Sequence, residues 1–130
     1  MFSQTVEYAL IAVVFLSRNE GQYFNAKEIS CQTKIPPAYL SKILQGLSRS
    51  TIIESRRGTQ GGYKIGRKPA DIPVLEVVNL VDPIERIKTC PLNFPEHKDK
   101  LCSLHKRLDN MLEMVECELK ESTIADIIEG

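Results

Sequence analysis

Apolar residues recur every three or four positions in the first stretch of the chain, and this spacing predicts a helix with one wide buried face. The helix should end near Gly21. Asn25 and Glu28 have the spacing of a capping box, so a second helix is predicted from Ala26 to Thr33. The apolar residues that predict the first helix are Val6, Ala9, Leu10, Val13 and Val14.

The clearest amphipathic pattern begins at Pro37, a residue that suits the first turn of a third helix. One face of this helix is apolar, the opposite face is small, polar and basic, and Tyr39 lies on its flank. The apolar face holds Leu40, Ile43, Leu44 and Leu47. The outer face holds Ala38, Ser41, Lys42, Gln45 and Arg49.

A glycine-rich loop, GTQGG, separates the short extended runs TIIESRR and YKIGR, which predicts a β-hairpin. Three helices and a hairpin in this order predict a winged helix-turn-helix domain, mainly α-helical with one small hairpin. In such a domain the third helix fits the DNA major groove, and Arg56 and Arg57 reach phosphates or the minor groove. The candidate DNA contacts are Ala38, Tyr39, Ser41, Lys42, Gln45, Arg49, Arg56, Arg57, Thr59 and Gln60.

A further helix containing Val74–Val81 is predicted after the hairpin, with Asp71 as its expected cap. A polar, proline-containing loop then leads to a long helix from Lys100 to Lys120. A last short helix should be capped by Ser122 or Thr123.

Apolar residues in the long helix follow steps of three and four, and we interpret this stripe as a dimerisation surface. Packing onto its own domain is the alternative. The stripe consists of Leu101, Leu104, Leu108, Met111 and Val115. These patterns divide the chain into a DNA-binding part (1–82), a ligand loop (83–99) and a dimerisation part (100–130).

Charge is unevenly distributed in a chain with no net charge, which contains 17 basic and 17 acidic residues. Residues 34–68 contain eight Lys or Arg against the single acid Glu54, whereas residues 69–130 contain seven against thirteen acids. A locally basic segment attracts a polyanion such as DNA. A solvated charged surface is the alternative interpretation.

The longest apolar run, Tyr8–Leu16, has nine residues, about half of the ~20 that span a bilayer. The start of the chain also lacks the basic region and cleavage site of a signal peptide. We therefore expect a cytoplasmic protein with no membrane partner, whose four cysteines are reduced thiols or metal ligands.

Five segments together resemble the winged-helix transcription factors that include the iron–sulfur cluster regulator IscR and the nitric-oxide-responsive repressor NsrR. The resemblance implies a homodimer with crossing C-terminal helices that binds a DNA operator with paired half-sites. It also implies that Tyr39, Ser41 and Lys42 contact bases and backbone, and that Arg57 enters the minor groove. The segments are YAL (8–10), IPPAYLSKILQGL (35–47), SRRGTQGGYKIGR (55–67), CSLH (102–105) and TIADI (123–127).

Cluster-binding relatives carry three cysteines spaced by six, and Cys90 and Cys102 match the first and third. The middle position holds Glu96, followed by His97. In some relatives an acidic residue from the first helix of the other subunit completes the site, and Glu7 matches that position. The resemblance thus implies a 2Fe–2S cluster with ligands from Cys90, Cys102, Glu7 and either His105 or one of Glu96 and His97.

Other interpretations stay open. Zinc could use Cys90, His97, Cys102 and His105, although their spacing matches no common zinc finger. A regulator without a cluster could sense through a thiol or a partner protein, and a winged helix could also be a protein-interaction module. An enzyme is not expected, because the sequence has no nucleophile elbow, P-loop or dinucleotide fingerprint.

Overall fold

The protein is described by a computed structural model that covers residues 2–97 and 101–130. Over these residues it forms six α-helices and one two-stranded antiparallel sheet, so the predicted fold class is confirmed. Short 3₁₀ turns occur at Pro69–Asp71 and Pro95–His97. The elements are α1 (Gln4–Arg18), α2 (Ala26–Thr33), α3 (Pro37–Leu47), β1 (Ile53–Arg56), β2 (Gly62–Ile65), α4 (Val74–Val81), α5 (Ser103–Glu121) and α6 (Ile124–Glu129).

Local signals place the boundaries of the first three helices. The predicted capping box of α2 is confirmed, because Glu28 N donates to Asn25 Oδ1 at 2.8 Å and Asn25 N donates to Glu28 Oε1 at 3.3 Å. The helix ends where Lys34 adopts a left-handed conformation with φ of 63°. Pro37 occupies the first turn of α3 as predicted.

The hydrophobic core surrounds α1, which packs against α2, α3, α4, α6 and β2. Removing these aliphatic side chains from water is the main driving force that holds the helices together. The largest fully buried side chains are Leu16, Ile29, Ile35, Leu40, Ile43, Leu44, Leu47, Ile52, Ile72, Ile124, Val6 and Val13.

The predicted hairpin is confirmed as the wing, in which β1 pairs with β2 from Ile53–Ile65 to Arg56–Gly62. Phe24 forms an isolated antiparallel bridge with Tyr63 of β2. The Phe24 N–H donates to the Tyr63 carbonyl at 2.9 Å, and the Tyr63 N–H donates to the Phe24 carbonyl at 2.7 Å. Gly62 has φ of 140°, and a side chain at this position would collide with the backbone of Phe24. This close approach requires glycine at position 62.

The expectation that Asp71 caps α4 is wrong. Asp71 lies in the preceding 3₁₀ turn, and the residue before α4 is Pro73, which provides no side-chain cap. Instead, the N–H of Val74 donates to the carbonyl of Ser122 at 2.8 Å. The C-terminal segment therefore satisfies a backbone donor that the sequence pattern assigned to a local side chain.

The C-terminal helix α6 returns to the N-terminal core. Thr123 forms a capping box with Asp126, which confirms one of the two predicted caps. Ile124 is fully buried and its N–H donates to Ile72 O at 2.9 Å. This hydrogen bond and the buried side chain fix the end of α5 to the domain.

The long helix α5 begins at Ser103 rather than Lys100, which lies outside the described residues. Cys102 is its N-cap residue, and Leu101 precedes the helix. One face of α5 packs against α4, whereas the opposite face is exposed to solvent. None of the helices in the described part of the chain is both long and apolar enough to cross a bilayer.

Candidate DNA-contacting surface and metal centre

The outer face of α3 presents the predicted DNA contacts to solvent, because its apolar side chains are all turned into the core. Tyr39 is 49% exposed and its ring packs edge-on against Tyr8, with 5.6 Å between ring centroids. This contact orients the tyrosine beside the polar face without burying it. The exposed polar and small residues of that face are Ala38, Ser41, Lys42 and Gln45. The predicted position of Arg49 on this helix is wrong, because α3 ends at Leu47 and Arg49 is exposed in the turn that follows.

The two wing arginines differ in their contacts. The Arg56 guanidinium lies 4.2 Å from the centroid of the Tyr23 ring and donates to the Gln60 carbonyl at 3.2 Å. Arg57 and Thr59 are exposed, and no hydrogen bond or ion pair among residues 2–97 and 101–130 involves Arg57. Arg56 therefore shapes the wing, whereas Arg57 is available to a ligand.

The basic segment contains one acid, and the wing pairs it internally. Glu54 faces Lys64 across the hairpin, and their charged groups are 3.5 Å apart. Lys64 Nζ also lies 5.0 Å from the centroid of the Tyr23 ring. The sequence did not single out Tyr23, because an aromatic residue between two helices carries no local signal of a cation–π contact.

Two cysteines and a histidine meet where the loop after α4 reaches α5. Cys102 Sγ lies 3.1 Å from His105 Nδ1, and Cys90 Sγ lies 3.7 Å from the same nitrogen. The ligand atoms of the three residues all lie within 4.8 Å of one another. Cys90 and His105 are 5% and 7% exposed, so the group is largely shielded from water.

The spacing of Cys102 and His105 explains why two of the three residues meet, since residues three apart at a helix start lie on one side. His97 approaches from the Pro95–His97 turn, with its Nδ1 3.4 Å from Cys90 Sγ. The Phe94 ring packs against His97 at 5.5 Å between centroids. The loop thus adds a second imidazole at the edge of the cluster.

The other predicted ligands lie elsewhere in the single chain. Glu96 is exposed, and Glu7 is exposed in the first turn of α1. Neither belongs to the metal-ligand group found among the described residues. The expected role of Glu7 depends on a second copy of the chain, so it stays a prediction.

The donor set fits a metal that prefers thiolate and imidazole ligands. Thiolates hold iron–sulfur clusters, imidazole replaces thiolate in some of them, and both ligand types bind zinc. The ligand atoms of Cys90, Cys102 and His105 lie no more than 4.8 Å apart, which is close enough for the three residues to hold one metal ion together. The remaining cysteines, Cys31 and Cys117, are exposed outside the cluster.

A charged residue that sequence reasoning missed anchors the same loop. Arg86 forms a bidentate pair with Asp109 of α5, with Nε–Oδ1 and Nη2–Oδ2 distances of 2.7 Å. The backbone N–H of Ile87 donates to Asp109 Oδ1 at 2.8 Å. The hydrogen bonds from Arg86 hold the pKa of Asp109 below its usual value. A lone arginine in a polar loop gave no sequence signal for this contact.

The predicted dimerisation stripe is only partly exposed. Leu104, Leu108 and Met111 are large, exposed apolar residues on α5, whereas Leu101 and Val115 are half-buried. Met114 extends the exposed stripe and was missed, although its step of three from Met111 is the expected period.

The element order, the exposed polar face of α3 and the adjoining wing define a winged-helix DNA-binding protein. The chain belongs to the Rrf2 family, described as iron-dependent transcriptional regulators, whose family model matches residues 2–130. It is 31% identical to the HTH-type transcriptional regulator NsrR of Geobacillus kaustophilus, a match that covers 95% of this chain and 86% of the relative.

Solved structures have the same fold. The T. potens IscR structure matches with a TM-score of 0.77 at 21% identity, covering 99% of this chain and 86% of that one. The structure of CymR from B. subtilis matches with a TM-score of 0.75 at 20% identity, covering 98% and 95% of the two chains. Family membership confirms the predicted resemblance and identifies the chain as a transcriptional regulator rather than an enzyme.

Proposed function

We propose that the chain is a homodimeric, sequence-specific regulator that binds a double-stranded DNA operator with paired half-sites. We further propose that a 2Fe–2S cluster at Cys90, Cys102 and His105 makes this binding responsive to redox state or nitric oxide. The observation that carries the proposal is the position of the buried cysteine–histidine cluster at the first turn of α5, the helix that bears the exposed apolar stripe.

DNA binding is supported by the outer face of α3 and by the wing. The candidate contacts on α3 are exposed together, and Arg57 extends from the adjoining turn. A helix of this kind places its side chains at base edges, while a wing arginine contacts phosphates or the minor groove. Residues 1–82 therefore carry the operator-binding part of the proposed function.

Dimerisation is supported by the exposed stripe of α5. Leu104, Leu108 and Met111 are each at least 40% exposed, and helical spacing places them along one side. Large apolar side chains that are exposed together on one helix face are typical of an interaction surface. A twofold pair would present two recognition helices to paired half-sites.

The ligand loop supplies the proposed sensing function. A cluster held by Cys90, Cys102 and His105 would supply a one-electron redox centre, and its iron would be the group that binds nitric oxide. Cys90 and His105 hold the loop and the start of α5 together, and Cys102 begins the helix. A change in these bonds alters the position of the loop against α5, and a shift of α5 changes the spacing of the two DNA-binding surfaces.

Two alternatives use the same residues with other chemistry. Zinc would bind Cys90, Cys102 and His105, with His97 as the nearby fourth donor. A regulator without metal would respond through oxidation of a thiol or through a partner protein.

Metal content distinguishes these proposals. Protein purified without oxygen should contain about two irons and two sulfides per chain, with visible absorption. Cys90→Ser should abolish both, whereas Cys31→Ser, at an exposed cysteine outside the cluster, should leave them unchanged. Zinc with no sulfide would favour the zinc site, and metal-free protein after reconstitution would remove the cluster from the proposal.

DNA binding tests the regulatory part. A fluorescent duplex recovered by selection from a random pool should bind the untreated protein and lose or gain affinity after exposure to a nitric oxide donor. The Cys90→Ser variant should bind without this response. Equal responses of the two proteins would contradict sensing through the cluster.

A further inference from the structure

Arg86 makes an unusual concentration of contacts for a loop residue. Its guanidinium pairs with both oxygens of Asp109, lies 3.2 Å from Glu116 Oε1 and lies 3.5 Å from Glu113 Oε2. All three acids belong to α5, so a single side chain fastens the loop after α4 to three successive positions on one side of the long helix.

This anchor lies beside the metal centre. Asp109 follows His105 by four residues on α5, so the two side chains share one face of the helix. Along the loop, Cys90 follows Ile87 by three residues, which span at most about 10 Å of extended chain. The hydrogen bond between Ile87 N and Asp109 thus keeps Cys90 within about 10 Å of a point fixed to the helix face that carries His105.

The contact between Arg86 and Asp109 has more hydrogen bonds, and is better oriented, than an ordinary surface ion pair. Isolated exposed pairs contribute little, but a bidentate arginine–carboxylate pair is strongly oriented. The Asp109 side chain is only 17% exposed and also accepts the backbone N–H of Ile87. Lysine cannot reproduce this planar two-bond contact, because its charge is carried by a single ammonium group.

We propose that Arg86 is a positioning residue for the metal centre: its pairing with Asp109 holds the cysteine loop against α5 and keeps Cys90 within reach of His105. The inference rests on the proposed function, because it assigns this role to the same metal site. It also identifies the connection through which a change at Cys90 reaches α5, independently of any direct ligand bond.

The first test measures the access of Cys90 to solvent in metal-free protein. In a Cys31→Ser/Cys102→Ser/Cys117→Ser background, Cys90 is the single thiol, and its reaction with the colorimetric disulfide DTNB reports its exposure. We expect Arg86→Gln to accelerate the reaction by about tenfold or more, and Arg86→Lys to give an intermediate rate. Far-UV circular dichroism checks that each variant is folded.

The matched control is Arg67→Gln, which removes another arginine–carboxylate contact. Arg67 donates to both oxygens of Glu76 at 2.8 Å, and among the described residues neither side chain forms a hydrogen bond or ion pair with the loop after α4. The control should leave the reaction of Cys90 at the parental rate. Equal rates for the parent and Arg86→Gln would overturn the proposal, as would equal acceleration by Arg67→Gln.

The second test measures metal affinity with Co²⁺ alone as the probe, in a Cys31→Ser/Cys117→Ser background. This background keeps the cysteine and histidine donors of the site, namely Cys90, His97, Cys102 and His105. Thiolate-to-cobalt absorption should appear with the parent. Arg86→Gln should weaken Co²⁺ binding by about 10- to 100-fold, which is the usual effect of losing a residue that holds the metal ligands in place. Asp109→Asn should weaken it comparably, and the double variant should show little additional loss, because both changes break one contact.

The outcomes separate this inference from the proposal on which it rests. If the parent gives no cobalt absorption, the metal site itself fails, and the positioning role for it fails too. If the parent and Arg86→Gln bind Co²⁺ equally, the metal site stands and the role of Arg86 is overturned. Fully additive losses from Arg86→Gln and Asp109→Asn would also overturn it, since the two residues would then act separately.

Discussion

Replacing the exposed wing arginine should weaken DNA binding in a manner that depends steeply on salt. The change is Arg57→Ala, and its matched partner is Arg56→Ala on the adjacent residue. Arg56 is already engaged by the Tyr23 ring at 4.2 Å and by the Gln60 carbonyl, whereas no described contact occupies Arg57. Two neighbouring residues of identical charge are therefore expected to differ in their contribution to binding.

The magnitude follows from counterion release. Each phosphate contact contributes about 0.9 to the slope of log K against log salt, so loss of Arg57 from both wings of a dimer should reduce the slope by about 1.8. With equal affinity of the two proteins at 1 M salt as the reference, this slope difference corresponds to an affinity loss of about 60-fold at 0.1 M salt and about 9-fold at 0.3 M. Arg56→Ala should change the slope less, because its side chain is held against the wing.

Fluorescence anisotropy with a selected duplex at several salt concentrations measures both slopes. Size-exclusion chromatography with light scattering confirms that each variant keeps the oligomeric state of the parent. An Arg57→Ala protein whose affinity loss is independent of salt would refute the phosphate-contact reasoning. A larger slope change for Arg56→Ala than for Arg57→Ala would refute the assignment of Arg56 to the structure of the wing and of Arg57 to DNA contact.

Three other predictions concern the assembly, the fold and the loop. Leu108→Asp should convert the proposed dimer to monomer by light scattering without loss of helix content, since Leu108 is 40% exposed in the single chain; an unchanged mass would exclude this face. Ile124→Ala should cost about 2–5 kcal/mol in urea unfolding, because the side chain is fully buried, and a loss below that of exposed Ile127→Ala would contradict its anchoring role. The lowered pKa of Asp109 implies stabilisation that is present above the usual aspartate pKa of about 3.9 and is lost as pH falls through the lower folded value. The parent should therefore lose more stability on acidification than Asp109→Asn, and parallel pH profiles would refute this.

The sequence predicted elements wherever a local signal determines local structure. The capping box at Asn25, the proline at the start of α3 and the glycine-rich loop of the hairpin all act within a few residues. The cap of α4 failed because its acceptor is the Ser122 carbonyl, almost fifty residues further along the chain. No pattern of neighbouring residues encodes a bond of this kind.

The candidate site shows the same division within one cluster. The sequence could place Cys102 and His105 together, because three positions at a helix start lie on one side. It could not place Cys90 beside them, because this depends on how a proline-containing loop folds back onto α5.

The loop after α4 is fixed to α5 at two places, and Cys90 is at one of them. Arg86 joins Asp109 across 23 residues, while Cys90 meets His105 across 15, and both contacts fall on one face of α5. A perturbation at the cysteines therefore has two routes to the helix, one through the candidate metal ligands and one through the ion pair. The exposed stripe lies on α5, and the loop contacts the same helix. A displacement of the loop would therefore also act on the proposed dimer interface. In a twofold assembly, the same shift of α5 would occur in both copies, so the two DNA-binding surfaces would move relative to each other.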